Sequence, residues 1–141
     1  MKKPRIEEVR PAGADHQVVT LRTGGEKHLY RRTPCDGCPW VRENVGSFPA
    51  KAFEHSASTA YDMAQNVFAC HESGQDKPST CAGFLLRGAN HNLAFRLAIL
   101  SGTIKPHLLK EGHRPLFNNY VEMAIANGVS PASPRLKICR D

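Results

Sequence analysis

Four of the five cysteines in this sequence have the spacing of a metal site. Two residues separate Cys35 from Cys38, so both sulfurs can converge on one ion while the intervening amides point towards the thiolates. Gly37, between them, favours the tight turn that this convergence needs. Cys70 and Cys81 would supply the second pair of ligands, so the sequence predicts a metal centre with four cysteine ligands.

The residues around these cysteines extend the prediction. His71 follows Cys70 directly, and it could replace one thiolate or hydrogen-bond a thiolate from outside the ligand set. Cys81 is expected at the N-terminus of a helix, where the positive end of the helix dipole favours a thiolate. Cys139 lies far along the chain and is not expected to bind the metal. The alternatives are five inert buried cysteines, or a redox-active Cys35-x2-Cys pair without the surrounding pattern of a thioredoxin.

The identity of the metal depends on the environment of the thiolates, since four thiolates suit both Zn²⁺ and a [4Fe–4S] cluster. Zinc is the commoner choice in small proteins, and the polar segment 71–80 is typical of an exposed zinc loop. Pro39 and the aromatic residues Trp40, Phe68 and Phe84 would instead suit a cluster shielded from water. Zn²⁺ is therefore the leading expectation, with a [4Fe–4S] cluster as the alternative.

The bulk properties place this site in a small globular protein. The 141 residues fit a single domain, and no run of about 18 apolar residues predicts a membrane span. The first residues lack the apolar run of a secretory signal, so we expect a cytoplasmic protein of a bacterial host. In that reducing compartment, clustered cysteines bind metal more often than they form disulfides.

The elements that must position the cysteines form an α+β, mostly helical, metal-centred fold. Residues 17–22 and 27–31 flank two glycines and predict an N-terminal β-hairpin. A long central helix is predicted over residues 81–101, and its apolar periodicity indicates a buried stripe. The stripe consists of Leu86, Ala89, Leu93, Leu97 and Leu100.

The predicted domain boundaries leave two flanks outside the metal-binding domain. Residues 1–16 are expected to be a flexible arm, residues 17–129 the single domain, and residues 130–141 a flexible basic tail. The formal net charge of +6 sits mainly on the flanks: residues 1–34 carry eight Lys or Arg against four Asp or Glu. Such flanks are compatible with nucleic acid or a host protein as the partner, or with solubility alone.

Catalytic residues are not predicted. His91 and Asn92 invite comparison with the metal motif of HNH nucleases, but they fall within the predicted long helix, with no strand pair directly before them. The basic segment around His107 and His113 could touch phosphates, but no aromatic residue is interleaved for stacking bases. No pair of carboxylates and no glycine-rich phosphate loop stands out. A binding protein is therefore favoured over an enzyme.

Four motifs carry a resemblance to a known family. They are Pro34-Cys-x2-Cys-Pro-Trp-x-Arg42, Phe68-x-Cys70-His71, Cys81-Ala-Gly-Phe84 and Leu93-Ala-x-Arg-Leu-Ala98. The sequence resembles an uncharacterised family of phage and actinobacterial cysteine-containing proteins, a domain of unknown function. The resemblance implies a mobile-element setting and brings no activity. The sequence as a whole predicts a metal-binding regulatory module acting on nucleic acid or a host protein. An iron–sulfur sensor or redox protein, or a metal-supported nuclease, is the alternative.

Overall fold

A small antiparallel sheet lies at the N-terminal side of the fold. The computed structural model describes residues 5–11, 17–22, 30–70 and 79–140. Three strands form the sheet in the order β1-β2-β3: β1 is Arg5–Pro11, β2 is Gln17–Arg22 and β3 is Asn66–Phe68. The central strand β2 pairs antiparallel with both neighbours. Through β3 the sheet connects directly to the segment that carries Cys70.

The strand pairing differs from the predicted N-terminal organisation. The sequence analysis assigns residues 1–16 to a flexible arm, whereas residues 5–11 form β1. It also pairs 17–22 with 27–31, but the described partners of β2 are β1 and β3. The predicted turn at residues 23–26 and most of its second strand lie outside the described residues. Local periodicity missed β1 because its backbone hydrogen bonds depend on a partner strand rather than on neighbours in sequence.

Helices make up more of the described chain than strands, so the fold is mixed and mostly helical, as predicted. In the described part of the chain the α-helices are α1 Ala50–Ser56, α2 Ala82–Arg87, α3 Leu93–Leu100, α4 Tyr120–Ala126 and α5 Pro134–Lys137. A 3-10 helix, Ala57–Ala60, directly follows α1. Within the described ranges, none of the helices has the length and apolar content that crossing a lipid bilayer requires.

The predicted long helix 81–101 is two helices, α2 and α3. Gly88 ends α2, and its amide bonds to the Phe84 carbonyl at 2.7 Å. Asn92 then caps α3, because its side-chain oxygen accepts a hydrogen bond from the Phe95 amide at 3.1 Å. A side-chain cap starts a new helix even where the apolar periodicity continues through it. The single-helix prediction was therefore wrong.

The break also changes which face of α3 is buried. Leu97 and Leu100 were predicted in the core, but their side chains are 54% and 83% exposed. Phe95 and Ala98 point into the core instead. The predicted stripe assumed one helical phase from residue 81 to residue 101, and the non-helical residues between α2 and α3 shift that phase.

The C-terminal segment packs against the domain rather than extending from it as the predicted flexible tail. Leu136 of α5 is buried. The Arg140 amide donates to the Ala60 carbonyl at 2.7 Å, and the Arg135 guanidinium donates to the Glu54 carbonyl at 2.8 Å. These long-range contacts satisfy backbone groups near α1, which local composition could not indicate.

An aromatic cluster centred on Trp40 forms the middle of the core. The indole ring lies 5.9 Å from the Phe68 ring and 6.0 Å from the Tyr120 ring, both in edge-on geometry. Phe84 of α2 lies at 6.4 Å. Since Trp40 follows Cys38 by two residues and Phe84 follows Cys81 by three, this cluster joins the two cysteine-bearing segments.

Candidate metal centre

The first pair of cysteines lies on a tight turn. The Cys38 amide donates to the Cys35 carbonyl at 3.1 Å, and the Val41 amide donates to the Cys38 carbonyl at the same distance. Both cysteines are buried. Consecutive hydrogen-bonded turns hold the two side chains in a fixed relation, as the Cys-x2-Cys spacing predicts.

Two polar side chains hold this turn from outside. The Arg114 guanidinium donates to the Cys35 carbonyl at 2.8 Å and to the Asp36 carbonyl at 2.9 Å. The Asn44 amide group donates to the carbonyls of Asp36 and Cys38, both at 2.9 Å. Neither residue was predicted from the sequence. Arg114 gave no local signal, since it is 79 residues from Cys35 and was grouped with a basic segment.

The second pair of cysteines lies on a short antiparallel ladder. Ala69 and Thr80 bridge each other, and the Cys70 amide donates to the Ser79 carbonyl at 2.7 Å. The Cys81 amide donates to the Phe68 carbonyl at 2.8 Å. This register puts Cys70 and Cys81 on the same face of the ladder. Cys81 lies at the N-terminus of α2, as predicted, and it occupies the N-cap position there.

The tertiary fold brings the two pairs of cysteines together. The sulfurs of Cys38 and Cys81 are 3.6 Å apart although the two residues are 43 positions apart in sequence. Cys35 lies near Cys70, so each cysteine of the turn approaches one of the ladder. In residues 30–70 and 79–140, no three His, Cys, Asp or Glu side chains already form a group that could hold a metal ion. The arrangement is two adjacent thiol pairs.

Burial and neighbouring thiols set the protonation of Cys38. A hydrogen bond with the Cys35 thiol lowers the pKa of Cys38, but the hydrogen bond with Cys81, burial and the charge of Cys81 together outweigh it. The pKa of the Cys38 thiol is therefore raised above its usual value. Without a bound cation the buried thiol stays protonated, and a metal that binds there must displace the proton.

The start of α2 closes one side of the thiol pairs. A methyl group on Gly83 would lie 3.1 Å from the Cys38 sulfur, and only 2.5 Å from Trp40 Cβ. Only a residue without a side chain allows the helix to approach this closely. The sequence Cys81-Ala-Gly-Phe84 thus places Cys81 among the thiols and Gly83 against the turn that carries Cys38.

Two other predicted residues stand apart from this arrangement. His71, the predicted alternative ligand, lies outside the described residues. Cys139 is half-buried beside α5, where its thiol contacts the carbonyls of Arg135 and Ala57 at 3.5 and 3.8 Å. Its partners belong to the C-terminal packing, so the structure gives it no place among the four buried cysteines.

The residues that suggested a nuclease have structural roles. Asn92 is buried and donates to the carbonyls of Thr59 and Asn66 at 3.1 and 2.7 Å, besides capping α3. The His91 carbonyl accepts from the Met63 amide at 2.9 Å. These contacts tie the connection between α2 and α3 to Thr59, Met63 and β3.

Comparison with known proteins adds a family but no activity. No curated protein and no solved structure matches the chain. The model of a family of unknown function, DUF6283, matches residues 30–140, which include all five cysteines as well as Asn44 and Arg114. Because this match covers most of the 141 residues, the chain belongs to the DUF6283 family.

Proposed function

We propose that the protein binds one Zn²⁺ ion through Cys35, Cys38, Cys70 and Cys81. The observation that carries the proposal is the 3.6 Å separation between the sulfurs of Cys38 and Cys81. A zinc–sulfur bond of about 2.3 Å in tetrahedral geometry puts two ligand sulfurs roughly 3.8 Å apart. Two buried thiols from distant parts of the chain therefore already have nearly the separation of two zinc ligands.

The same separation favours one ion over the [4Fe–4S] alternative. In such a cluster each cysteine binds a different iron at a separate corner, so the ligand sulfurs stand much farther apart than two ligands of one ion. The aromatic surroundings of the cysteines suit either group. The distance between the sulfurs of Cys38 and Cys81 is closer to the separation of two ligands of one ion than to that of two cluster ligands, and this supports the zinc proposal.

A site with four thiolate ligands has no open coordination position, which makes its role structural rather than catalytic. The ion would fasten the Cys35–Cys38 turn to the ladder of Cys70 and Cys81. Its function would be to stabilise a surface by which the protein binds nucleic acid or another macromolecule. The four polar contacts on the carbonyls of the turn support this role, because they fix the turn through its backbone and not through its sulfurs.

The decisive experiment is metal analysis of protein purified without added metal, under anaerobic conditions. We expect one zinc per chain, a colourless solution, and no acid-labile sulfide. Replacing zinc by Co²⁺ should give the thiolate-to-cobalt absorption bands of a tetrahedral four-sulfur site. A brown solution with iron and sulfide would overturn the zinc proposal in favour of a cluster, and protein without bound metal would overturn both.

A matched pair of variants identifies the ligands. Cys38→Ser should lose zinc and the cobalt–thiolate bands, whereas Cys139→Ser should retain both, since the Cys139 thiol contacts the carbonyls of Ala57 and Arg135 in the C-terminal packing. Equal zinc content in the two variants would contradict the assignment of Cys38 as a ligand.

A further inference from the structure

Two basic segments that are distant in sequence lie side by side beside the cysteines. Residues 30–33 and 105–113 together carry Arg31, Arg32, Lys105 and Lys110, with His107 and His113. We call the surface formed by these six residues the basic face.

Backbone contacts fix the two segments against each other. The Lys110 amide donates to the Arg32 carbonyl at 2.8 Å, and the Lys105 amide donates to the Tyr30 hydroxyl oxygen at 3.5 Å. Near the far end, a methyl group on Gly112 would lie 3.7 Å from Thr33 Cγ2. Cations from two segments that are distant in sequence are therefore combined on one surface.

The basic face keeps a net positive charge. Arg32, Lys105 and Lys110 are exposed, as are both histidines. Glu111 is the single acidic residue in the two segments by sequence, and it already forms an ion pair with Arg87. The charges of Arg32, Lys105 and Lys110 are thus not offset from within the basic face.

We propose that the basic face binds the phosphate backbone of nucleic acid without reading its base sequence. The proposal rests on the binding role proposed above and names the partner. Exposed cations spread over two fixed segments match the way proteins contact phosphates. No aromatic side chain is exposed on the two segments to stack on bases, since Tyr30 is partly buried against the core.

The absence of an apolar centre favours nucleic acid over an acidic protein. Protein interfaces are built around desolvated apolar and aromatic anchors. The large apolar side chains that are exposed in the described part of the chain are Val45, Met63, Leu97, Leu100, Ile125 and Ile138. None of them belongs to residues 30–33 or 105–113.

The basic face is attached to the cysteine-bearing backbone. The Arg31 amide donates to the Thr80 carbonyl at 3.0 Å, one residue before Cys81. At the other end Arg114 donates to the Cys35 carbonyl and pairs with Glu43. Both segments of the basic face therefore adjoin the proposed ligands, and a structural ion would hold the spacing of the cations.

The test compares two triple variants with equal loss of charge. The first, R32A/K105A/K110A, removes the exposed cations of the basic face. The control, K51A/R96A/K137A, removes three exposed cations on α1, α3 and α5. Binding of wild type and variants to fluorescein-labelled double-stranded DNA and single-stranded RNA of mixed sequence is measured by anisotropy across a series of salt concentrations. Melting temperature and zinc content are recorded for each protein.

We expect wild type and control to bind alike, with affinity that falls steeply with salt and does not change when the nucleotide sequence is scrambled. The R32A/K105A/K110A variant should bind at least about tenfold more weakly at low salt. Its slope of log affinity against log salt should be shallower by about three units on duplex DNA, since each lost phosphate contact removes roughly 0.9.

Three results would overturn the proposal. Equal weakening of both triple variants would mean that net charge alone drives binding. Unchanged affinity of R32A/K105A/K110A would place the interaction elsewhere. Absence of wild-type binding even at low salt would exclude nucleic acid as the partner. An acidic protein would then be the expected partner of the basic face. Zinc content is read independently in each case, so failure of this proposal is distinguishable from failure of the metal site.

Discussion

At the residue scale, the contact between Gly83 and Trp40 sets how closely the two cysteine-bearing segments approach. A β-carbon added at Gly83 would lie 2.5 Å from Trp40 Cβ, 2.8 Å from Trp40 Cγ and 3.1 Å from the Cys38 sulfur. The two Trp40 atoms are at the base of the side chain, so they cannot move aside as the far end of a flexible side chain could. The position of Cys81 opposite Cys38 therefore depends on a glycine two residues into the helix that Cys81 caps.

Gly83→Ala should destabilise the protein, although alanine is the better helix former. The added methyl group would lie 2.5 Å from Trp40 Cβ, and overpacking of this kind costs about 1–3 kcal/mol, against a gain in helix propensity of at most about 1 kcal/mol. Urea denaturation measures the difference. Zinc content should fall as well, because the shift of α2 moves Cys81. Stability equal to or above that of wild type would contradict this close contact.

Cys38→Ser should lower the melting temperature much more than Cys139→Ser. Where a metal site is structural, the free energy of metal binding is part of the free energy of folding. Loss of one of four thiolates removes most of that contribution, whereas Cys139 is half-buried and serine has nearly its shape. Thermal melts of both variants in the presence of zinc provide the measurement. Equal melting temperatures would mean that Cys38 does not hold a structural ion.

At the scale of elements, Asn92 joins three parts of the chain. It caps α3, and it donates to carbonyls that follow α1 and lie in β3. Asn119 caps α4 in the same way, accepting from the Glu122 amide at 2.8 Å, and is only partly buried. The two asparagines share a capping role and differ in burial and in the number of contacts recorded for them.

Asn92→Ala should therefore cost more stability than Asn119→Ala. Loss of a cap alone costs about 1 kcal/mol, which we expect for Asn119→Ala. For Asn92 the carbonyls of Thr59 and Asn66 also lose a donor in a buried site, each worth about 1–3 kcal/mol. We expect at least about 2 kcal/mol more for Asn92→Ala by denaturant unfolding. Equal costs would show that water replaces the buried contacts.

On α3, Phe95→Ala should be far more damaging than Leu97→Ala. Phe95 is 8% exposed, and removing a buried phenylalanine costs about 3–5 kcal/mol. Leu97 is 54% exposed, so its truncation should change the free energy of unfolding by less than about 1 kcal/mol. The same denaturation experiment compares the two variants. A larger loss of unfolding free energy for Leu97→Ala would mean that the face of α3 predicted from the sequence pattern is the buried one.

These elements show which features could be predicted from sequence. The turn at Cys35 and the place of Cys81 at a helix N-terminus followed from local spacing and helix-start signals. The break before α3 could not be decided locally, because apolar periodicity and an asparagine cap compete over the same residues. The docking of Leu136 and the clamp of Arg114 depend on contacts across the whole chain, which no local pattern encodes.

At the scale of the whole molecule, the proposed metal site and the aromatic core are two separate sources of stability. Trp40, Phe53, Phe84 and Tyr120 are fully or almost fully buried. A domain of this size buries enough surface to fold on its own core. The four cysteines are buried in the same core, and Trp40 and Phe84 lie close to them in sequence.

Removal of zinc from the wild-type protein should therefore lower its melting temperature without abolishing cooperative unfolding. A ligand that binds only the folded state adds RT ln(1 + [L]/Kd), or about 4.1 kcal/mol at a free concentration a thousand times Kd. The melting temperature should accordingly rise with free zinc in wild type and stay constant in Cys38→Ser, as calorimetry can measure. If the chelated protein shows no cooperative transition, the ion rather than the aromatic core is what folds the domain. If chelation leaves the melting temperature unchanged, the four cysteines contribute only buried apolar surface.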